Sequence, residues 1–349
     1  MNVTFWVWIV TFVAILALFV FDFYAHVRTP HAPSIKEAAW WSTFYIVLAL
    51  VFGVGVLLVS GTRYGAEYFA GYVTEKSLSV DNLFVFVIIM AKFAVPREYQ
   101  QKVLLVGIAI ALVMRGIFIA LGAAAIANFS WVFYIFGAFL IYTAWKLARE
   151  KHDQDEEFKE NAVLRFAERV LPTTTDYHGD RLTVRIDGKR LVTPMLVVMI
   201  AIGTTDLLFA LDSIPAIYGL TNEPYIVFTA NAFALLGLRQ LYFLIGGLLE
   251  RLVYLSLGLS VILGFIGVKL VLEALHTNEL PFVNGGQHVE WAPQIPIWLS
   301  LTIIIGTLAV TTVASLLKTR RDRKAELLPP DAAEIEKGTP PVPEDSPRD

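Results

Sequence analysis

Thr204-Thr205-Asp206-Leu207-Leu208-Phe209-Ala210-Leu211-Asp212-Ser213-Ile214-Pro215 places two carboxylates inside an apolar run, and Glu75-Lys76-Ser77-Leu78-Ser79-Val80-Asp81-Asn82 repeats the arrangement. Each copy reads as an acid, five residues, an Asp, then Asn or Ser. The surroundings are apolar in both cases. Of the 349 residues 56% are hydrophobic and only 17% charged, against a usual charged share of about 25%. Most of the charges fall in two blocks, roughly 148–191 and 318–349, so the rest of the chain is a series of apolar runs. Several exceed 18 residues, the length that bridges a hydrocarbon core ~30 Å thick. Val103 to Val113 is unbroken rather than alternating, so a β-barrel is excluded. The expected class is an all-α polytopic membrane protein.

Nine spans are expected, at about 3–24, 41–60, 70–95, 103–127, 129–147, 193–218, 225–249, 252–275 and 295–317. The first run has no basic leader and no small-residue cleavage site, and reads as a retained helix. Lys and Arg then set the orientation. With the N-terminus outside, Arg28, Lys36, Lys92, Arg97, Lys102, the basic loop 148–191 and Lys318, Arg320, Arg321, Arg323 and Lys324 all lie inside. The 276–294 loop, with Glu279 and Glu290, lies outside. Residues 1–317 thus form a membrane domain with the 148–191 loop inserted, followed by a cytoplasmic tail at 318–349. Phe158, Ala162, Phe166 and Val170 recur at helical spacing and suggest an amphipathic helix in that loop, the alternative being a solvated linker. Beyond Leu328 the tail is rich in Pro, Asp and Glu and is expected to be disordered.

A charge at the bilayer centre costs at least ~2.5–3.5 kcal/mol on insertion scales, so each intramembrane ionisable residue needs a reason. The two acidic motifs are part of a longer repeat. Met114-Arg115-Gly116-Ile117-Phe118 follows the first copy one span later, and Leu238-Arg239-Gln240-Leu241-Tyr242 follows the second. The copies stand three spans apart, an odd step that reverses their topology. This is a 3+3 inverted repeat, spans three to five against six to eight, as in secondary transporters. Six residues advance about 600° on a helix, so the two acids of one motif differ by about 120° and do not share a face. Either they serve different neighbours, or the helix unwinds between them. Pro215 would favour unwinding by freeing the Leu211 carbonyl.

The intramembrane ligand inventory is oxygen only. Asp81 and Asp212 are the first candidates for a metal ligand, with Glu75, Asp206, Asn82, Ser213 and Asn231 in support. Thr204 and Thr205 add hydroxyls. The six histidines (26, 31, 152, 178, 276 and 288) lie at helix ends or in loops, and there is no cysteine. Such a set suits Mg²⁺, Ca²⁺ or Mn²⁺ rather than Cu(I) or a tight Zn²⁺ site. The competing reading is an ion-pair lattice in which Arg115 and Arg239 neutralise Asp81 and Asp212 and only fix helix packing. In either case the arginines brace the acids. Asp22, near the inner end of span one, reads as a ligand, a gate or an interfacial cap.

Other chemistries fit poorly. No Ser/His/Asp set falls within the spans and no glycine-rich motif accompanies a pair of aspartates, so no enzyme is expected. There is no Gly-x4-Gly-Lys-Ser/Thr sequence for ATP. The net charge of −3 argues against nucleic acid.

Glu75-Lys-Ser-Leu-Ser-Val-Asp-Asn, Phe209-Ala-Leu-Asp-Ser-Ile-Pro-Ala and Asn231-Ala-Phe-Ala-Leu-Leu-Gly-Leu-Arg239-Gln-Leu-Tyr-Phe resemble the TerC/Alx integral membrane proteins. The resemblance runs from span one to span eight. That family is named for tellurium resistance and linked to manganese efflux in bacteria. The resemblance implies a bacterial inner-membrane protein that exports Mn²⁺ through the acidic positions of the two motifs. One position departs from it: many relatives carry a Glu three residues before the Asp206 position, where this chain has Gly203.

The expectation is therefore a secondary transporter exporting a divalent metal cation, Mn²⁺ first, driven by the membrane potential or a counter-ion such as H⁺. It needs no resident cofactor. Its partners are the cation and the lipid bilayer, with a homo-oligomer or a cytoplasmic partner at loop 148–191 as further options. The alternative is a non-transporting membrane scaffold or a metal/tellurite stress-response adaptor.

Overall fold

The computed structural model describes residues 3–27, 31–129, 131–149, 174, 177–186, 189–245, 254–276, 278, 280, 283–289 and 291–326. The elements run α1 (Phe5–Asp22), a π-helical turn (Phe23–Val27), α2 (Ile35–Ser60), α3 (Thr62–Lys92), α4 (Arg97–Asn128) and α5 (Val132–Arg149). After them come β1 (Thr183–Ile186), β2 (Lys189–Val192), α6 (Pro194–Tyr218), α7 (Pro224–Leu235) and α8 (Leu238–Ile245). The chain continues with α9 (Leu255–His276), a 3₁₀ turn (Asn284–Gly286) and α10 (Ile297–Glu326).

Local signals set several boundaries. The Ser34 hydroxyl accepts from the Glu37 amide at 3.2 Å and starts α2 earlier than residue 41. Pro194 and Pro224 occupy the first turns of α6 and α7, where a missing N–H costs nothing. Gly61 alone joins α2 to α3, at φ 97°, a conformation other residues rarely adopt.

Eight helices among the described residues are long and apolar enough to cross a membrane, with α7 and α8 together counting as one. The expected span at 70–95, which is not among those eight, falls on α3, whose 31 residues extend about 46 Å. Its charges, Arg63, Glu67, Glu75 and Lys76 among them, keep it out of a count made on composition. Polarity is inverted relative to a water-soluble fold: Arg115, Glu75 and Asp206 are fully buried, whereas Val59 is 88% and Val310 69% exposed. Only a hydrocarbon solvent makes that distribution favourable.

Three packing pairs hold the bundle: α3 against α7, α4 against α6 and α5 against α9. At the last crossing a methyl on Gly137 would lie 2.9 Å from the Gly267 carbonyl, and one on Gly267 would lie 3.0 Å from the Gly137 carbonyl. The two backbones touch reciprocally, as small residues allow in membranes. Gly267→Ala should therefore force the helices apart and cost about 1–3 kcal/mol. A lowered melting temperature in detergent would show it; an unchanged one would mean that the crossing relaxes freely.

The structure adds to the sequence reading at four points. Pro215 does not unwind its helix: α6 runs unbroken from Pro194 to Tyr218. A proline forfeits only its own N–H bond, and residues 213–218 around it are all buried, so packing holds the helix. The interruption lies instead in the expected span 225–249, where Leu236 and Gly237 separate α7 from α8 and Gly237 adopts φ 79°. The loop 148–191 contains an antiparallel hairpin of β1 and β2, with Arg185 opposite Arg190. The basic start of the tail is helical, because α10 continues to Glu326. The amphipathic segment at 158–170 and the tail beyond 328 lie outside the described residues.

The segment before α6 is fastened to the adjoining helix ends. The Tyr177 hydroxyl donates to the Phe93 carbonyl at 2.7 Å. Lys102 donates to the Asp180 carboxylate at 2.7 Å, and this hydrogen bond holds the Asp180 carboxyl below its ordinary value.

Candidate functional site

Arg115, midway along α4, organises the buried polar centre. Its Nε and Nη2 donate to the two oxygens of Asp206 at 2.8 and 3.1 Å, a bidentate pair. Its Nη1 donates to Glu75 Oε1, and to Ser213 Oγ and Asn231 Oδ1 at 3.2 Å each. One guanidinium thus gathers acceptors from α3, α6 and α7. Each acceptor is a residue that the sequence singles out as a candidate ligand.

Two atoms of this centre have no hydrogen-bond partner among the described residues despite burial: Glu75 Oε2 and Asn231 Nδ2. A buried acceptor without a donor is costly, and costlier still if charged. Thr205 Oγ1, buried one residue before Asp206, also has no partner. Asp212 lies within electrostatic reach of both Glu75 and Arg115. It is only partly buried, whereas Asp206 is 1% exposed. Although α6 is unbroken, both acids of its motif lie near Glu75 and Arg115: Asp206 pairs with the guanidinium directly, and Asp212 lies within its electrostatic reach.

The remaining candidates are dispersed. Asn82 is buried in α3 without joining the Arg115 network. The Asp81 side chain lies outside the described residues. Lys76 turns away from the acids and donates to the Ala234 carbonyl at 3.0 Å, near the end of α7. The Thr204 hydroxyl donates to the Ile200 carbonyl of its own helix at 2.7 Å. Among the described residues no three of His, Asp and Glu converge as a metal-binding group would. A guanidinium, not a cavity lined by carboxylates, stands at the centre of this arrangement.

The arginine pairings differ from the sequence reading. Arg115 takes Asp206 and Glu75, and Arg239 takes Asp22 at 2.7 Å instead of Asp212. Arg239 also donates to Gln101 Oε1 at 2.5 Å. Asp22 Oδ1 further accepts from the Tyr45 hydroxyl at 2.9 Å and from Gln240 Nε2 at 3.1 Å. Gln101 Nε2 completes the network on the His31 carbonyl at 2.8 Å. This second cluster sits at the hairpin end of the bundle, about 21 Å along α4 from Arg115. It ties α1, α2, α4 and α8 together, immediately before the π turn of α1. The Leu236–Gly237 break positions Arg239 there, and a Cβ at Gly237 would meet Tyr45 Cβ at 2.8 Å.

At the opposite end, Glu67 is buried and accepts from Arg63 at 2.9 Å and from Thr221 at 2.5 Å. Sequence reasoning passed over Tyr45, Glu67, Gln101 and Gln240. A polar residue near the end of an apolar run was the only signal available for them.

Gly203 also finds a structural reason. A Cβ there would meet Ile110 Cγ2 at 2.9 Å, and one at Gly107 would meet Ile202 Cγ2 at 2.6 Å. The α4–α6 crossing, which brings Arg115 to Asp206, is close enough to exclude side chains at both glycines.

Comparisons with known proteins agree with this architecture. Residues 60–323 match the model of the integral membrane protein TerC family. An uncharacterized membrane protein of Mycobacterium tuberculosis is 52% identical over 318 residues, covering 90% of this chain and 80% of that protein. A protein of Salmonella typhi named Alx, described as a proposed membrane-bound redox modulator, is 37% identical over 306 residues, 85% of this chain and 89% of its own. The chloroplast thylakoid membrane protein TERC of Arabidopsis thaliana is 44% identical over 225 residues, 64% of this chain and 58% of its own. No solved structure matches.

Proposed function

Because the chain belongs to the TerC family of integral membrane proteins, we propose that it is a secondary transporter that exports a divalent cation, Mn²⁺ first, from a bacterial cytoplasm. One observation carries the reading: Glu75, Asp206, Ser213 and Asn231 meet deep inside an apolar bundle, with Glu75 Oε2 unpartnered. Acids at this depth are costly unless they do work, and a cation pathway is their usual role in membranes. Hard oxygen donors favour Mn²⁺, Ca²⁺ or Mg²⁺ over softer metals.

The packing supports an inverted repeat of α3–α5 and α6–α9. The first helix of each unit packs on the second of the other (α3 on α7, α4 on α6), and the third helices meet at reciprocal glycines. A twofold relation between the two units gives this reciprocity. Charge asymmetry places the hairpin inside and the 276–294 loop outside. Cysteine labelling checks this cleanly in a chain that has none: Asn284→Cys should react with an impermeant reagent from outside and Arg185→Cys should not. The reverse result overturns the orientation.

The Alx relative's name raises a redox role. Such a role here would have to operate without a thiol, since no cysteine occurs in the 349 residues. The decisive experiment compares the metal content of cells with and without the protein under Mn²⁺ stress. Lower cellular Mn²⁺ with the protein is expected. Unchanged Mn²⁺ with correctly inserted protein would favour the scaffold or stress-adaptor reading instead.

A further inference from the structure

We propose that Arg115 is a tethered counter-cation: its guanidinium and the transported divalent ion alternate on the same oxygens. The inference rests on the transport reading above and concerns how that site is regulated.

The guanidinium uses Nε, Nη1 and Nη2, and all of them point at Asp206, Glu75, Ser213 and Asn231. Every hydrogen bond of the guanidinium among the described residues therefore goes to a candidate ligand. A hard divalent cation needs these oxygens at roughly 2.0–2.6 Å. The guanidinium holds Asp206 at 2.8 and 3.1 Å with both of its oxygens engaged. Arginine does not lose its proton in proteins, so deprotonation cannot remove its positive charge. Metal and guanidinium on one set of carboxylates would repel at contact distance in a low-dielectric interior. The ion therefore binds by displacing Arg115 from at least one acid, and Arg115 returns when the ion leaves.

This exchange has a consequence for the cycle. Net export requires the carrier to reorient without metal, and bare carboxylates in an apolar bundle oppose that step. With Arg115 on Asp206 and Glu75, one of the two negative charges is neutralised while the helices move. Without it, the carrier should reorient readily only when metal-loaded, and would exchange ions far better than it exports them.

The test uses the full chain reconstituted in lipid vesicles, with Mn²⁺ as probe. Net efflux into Mn²⁺-free buffer is compared with exchange of radiolabelled against unlabelled Mn²⁺. For Arg115→Gln the ratio of net efflux to exchange should fall roughly tenfold or more. An unchanged ratio in a folded variant would make Arg115 a brace and overturn the proposal. Should Arg115→Gln fail to fold, Arg115→Lys keeps the charge but loses the bidentate grip on Asp206. Its half-saturating Mn²⁺ concentration should then drop several-fold, and an unchanged or higher value overturns the proposal equally. If the unaltered protein moves Mn²⁺ in neither mode, the transport reading itself fails and takes this one with it.

Discussion

Asp212→Asn is expected to abolish Mn²⁺ flux while shifting stability by less than about 1 kcal/mol. The side chain is partly exposed, and among the described residues no cation lies within ion-pair distance of it. The amide keeps the shape and loses only the charge next to Glu75 and Arg115. The structure also changes what a second substitution should do. Arg239 is bound to Asp22, so adding Arg239→Gln to Asp212→Asn should give additive stability losses within about 0.3–0.5 kcal/mol and restore no flux. Thermal melts and vesicle flux on both singles and the double variant check this. Retained flux in Asp212→Asn would remove the residue from the ion path, and recovered stability in the double would show that the two side chains are coupled after all.

Asp22→Asn is expected to have the opposite profile, a large loss of stability. Asp22 is 6% exposed, and a single carboxylate oxygen accepts from Arg239, Gln240 and Tyr45. Removing its charge leaves a guanidinium, 2% exposed, without its counter-ion. Breaking one side of such a pair costs about 3–5 kcal/mol. Asp22→Asn with Arg239→Gln removes both charges and should recover most of that loss. The melting temperatures of the three variants decide the matter, and a double variant no more stable than Asp22→Asn would refute the pairing as the source of the effect. Flux adds a second reading. The cluster joins α1, α2, α4 and α8 at one end of the bundle, so a double variant that is stable but leaky would identify it as a closure of that end.

The sequence by itself determined the helical membrane class, because long apolar runs have no other stable placement and their lengths match a bilayer. It also singled out Glu75, Asp206, Ser213 and Asn231 as supporting candidates, because polar groups in hydrocarbon are costly, but it placed Asp81 and Asp212 ahead of them and Asn82 beside them. The offset of six residues set the paired acids of α6 about 120° apart, yet both lie within reach of Arg115 and Glu75. Only the tertiary structure decided which arginine meets which acid. Arg115 and Arg239 occupy matching positions in the two motifs, yet one bridges Glu75 and Asp206 and the other holds Asp22. Partner choice depends on the depth and rotation of packed helices, and here it turns on two close approaches. Gly107 and Gly203 let α4 and α6 touch, whereas the break at Gly237 carries Arg239 to Tyr45 and Asp22. The location of the interruption was likewise tertiary. Pro215 lies in the buried last turn of its helix, which holds its shape despite one missing N–H, while Gly237 takes the positive φ that its contact with α2 demands.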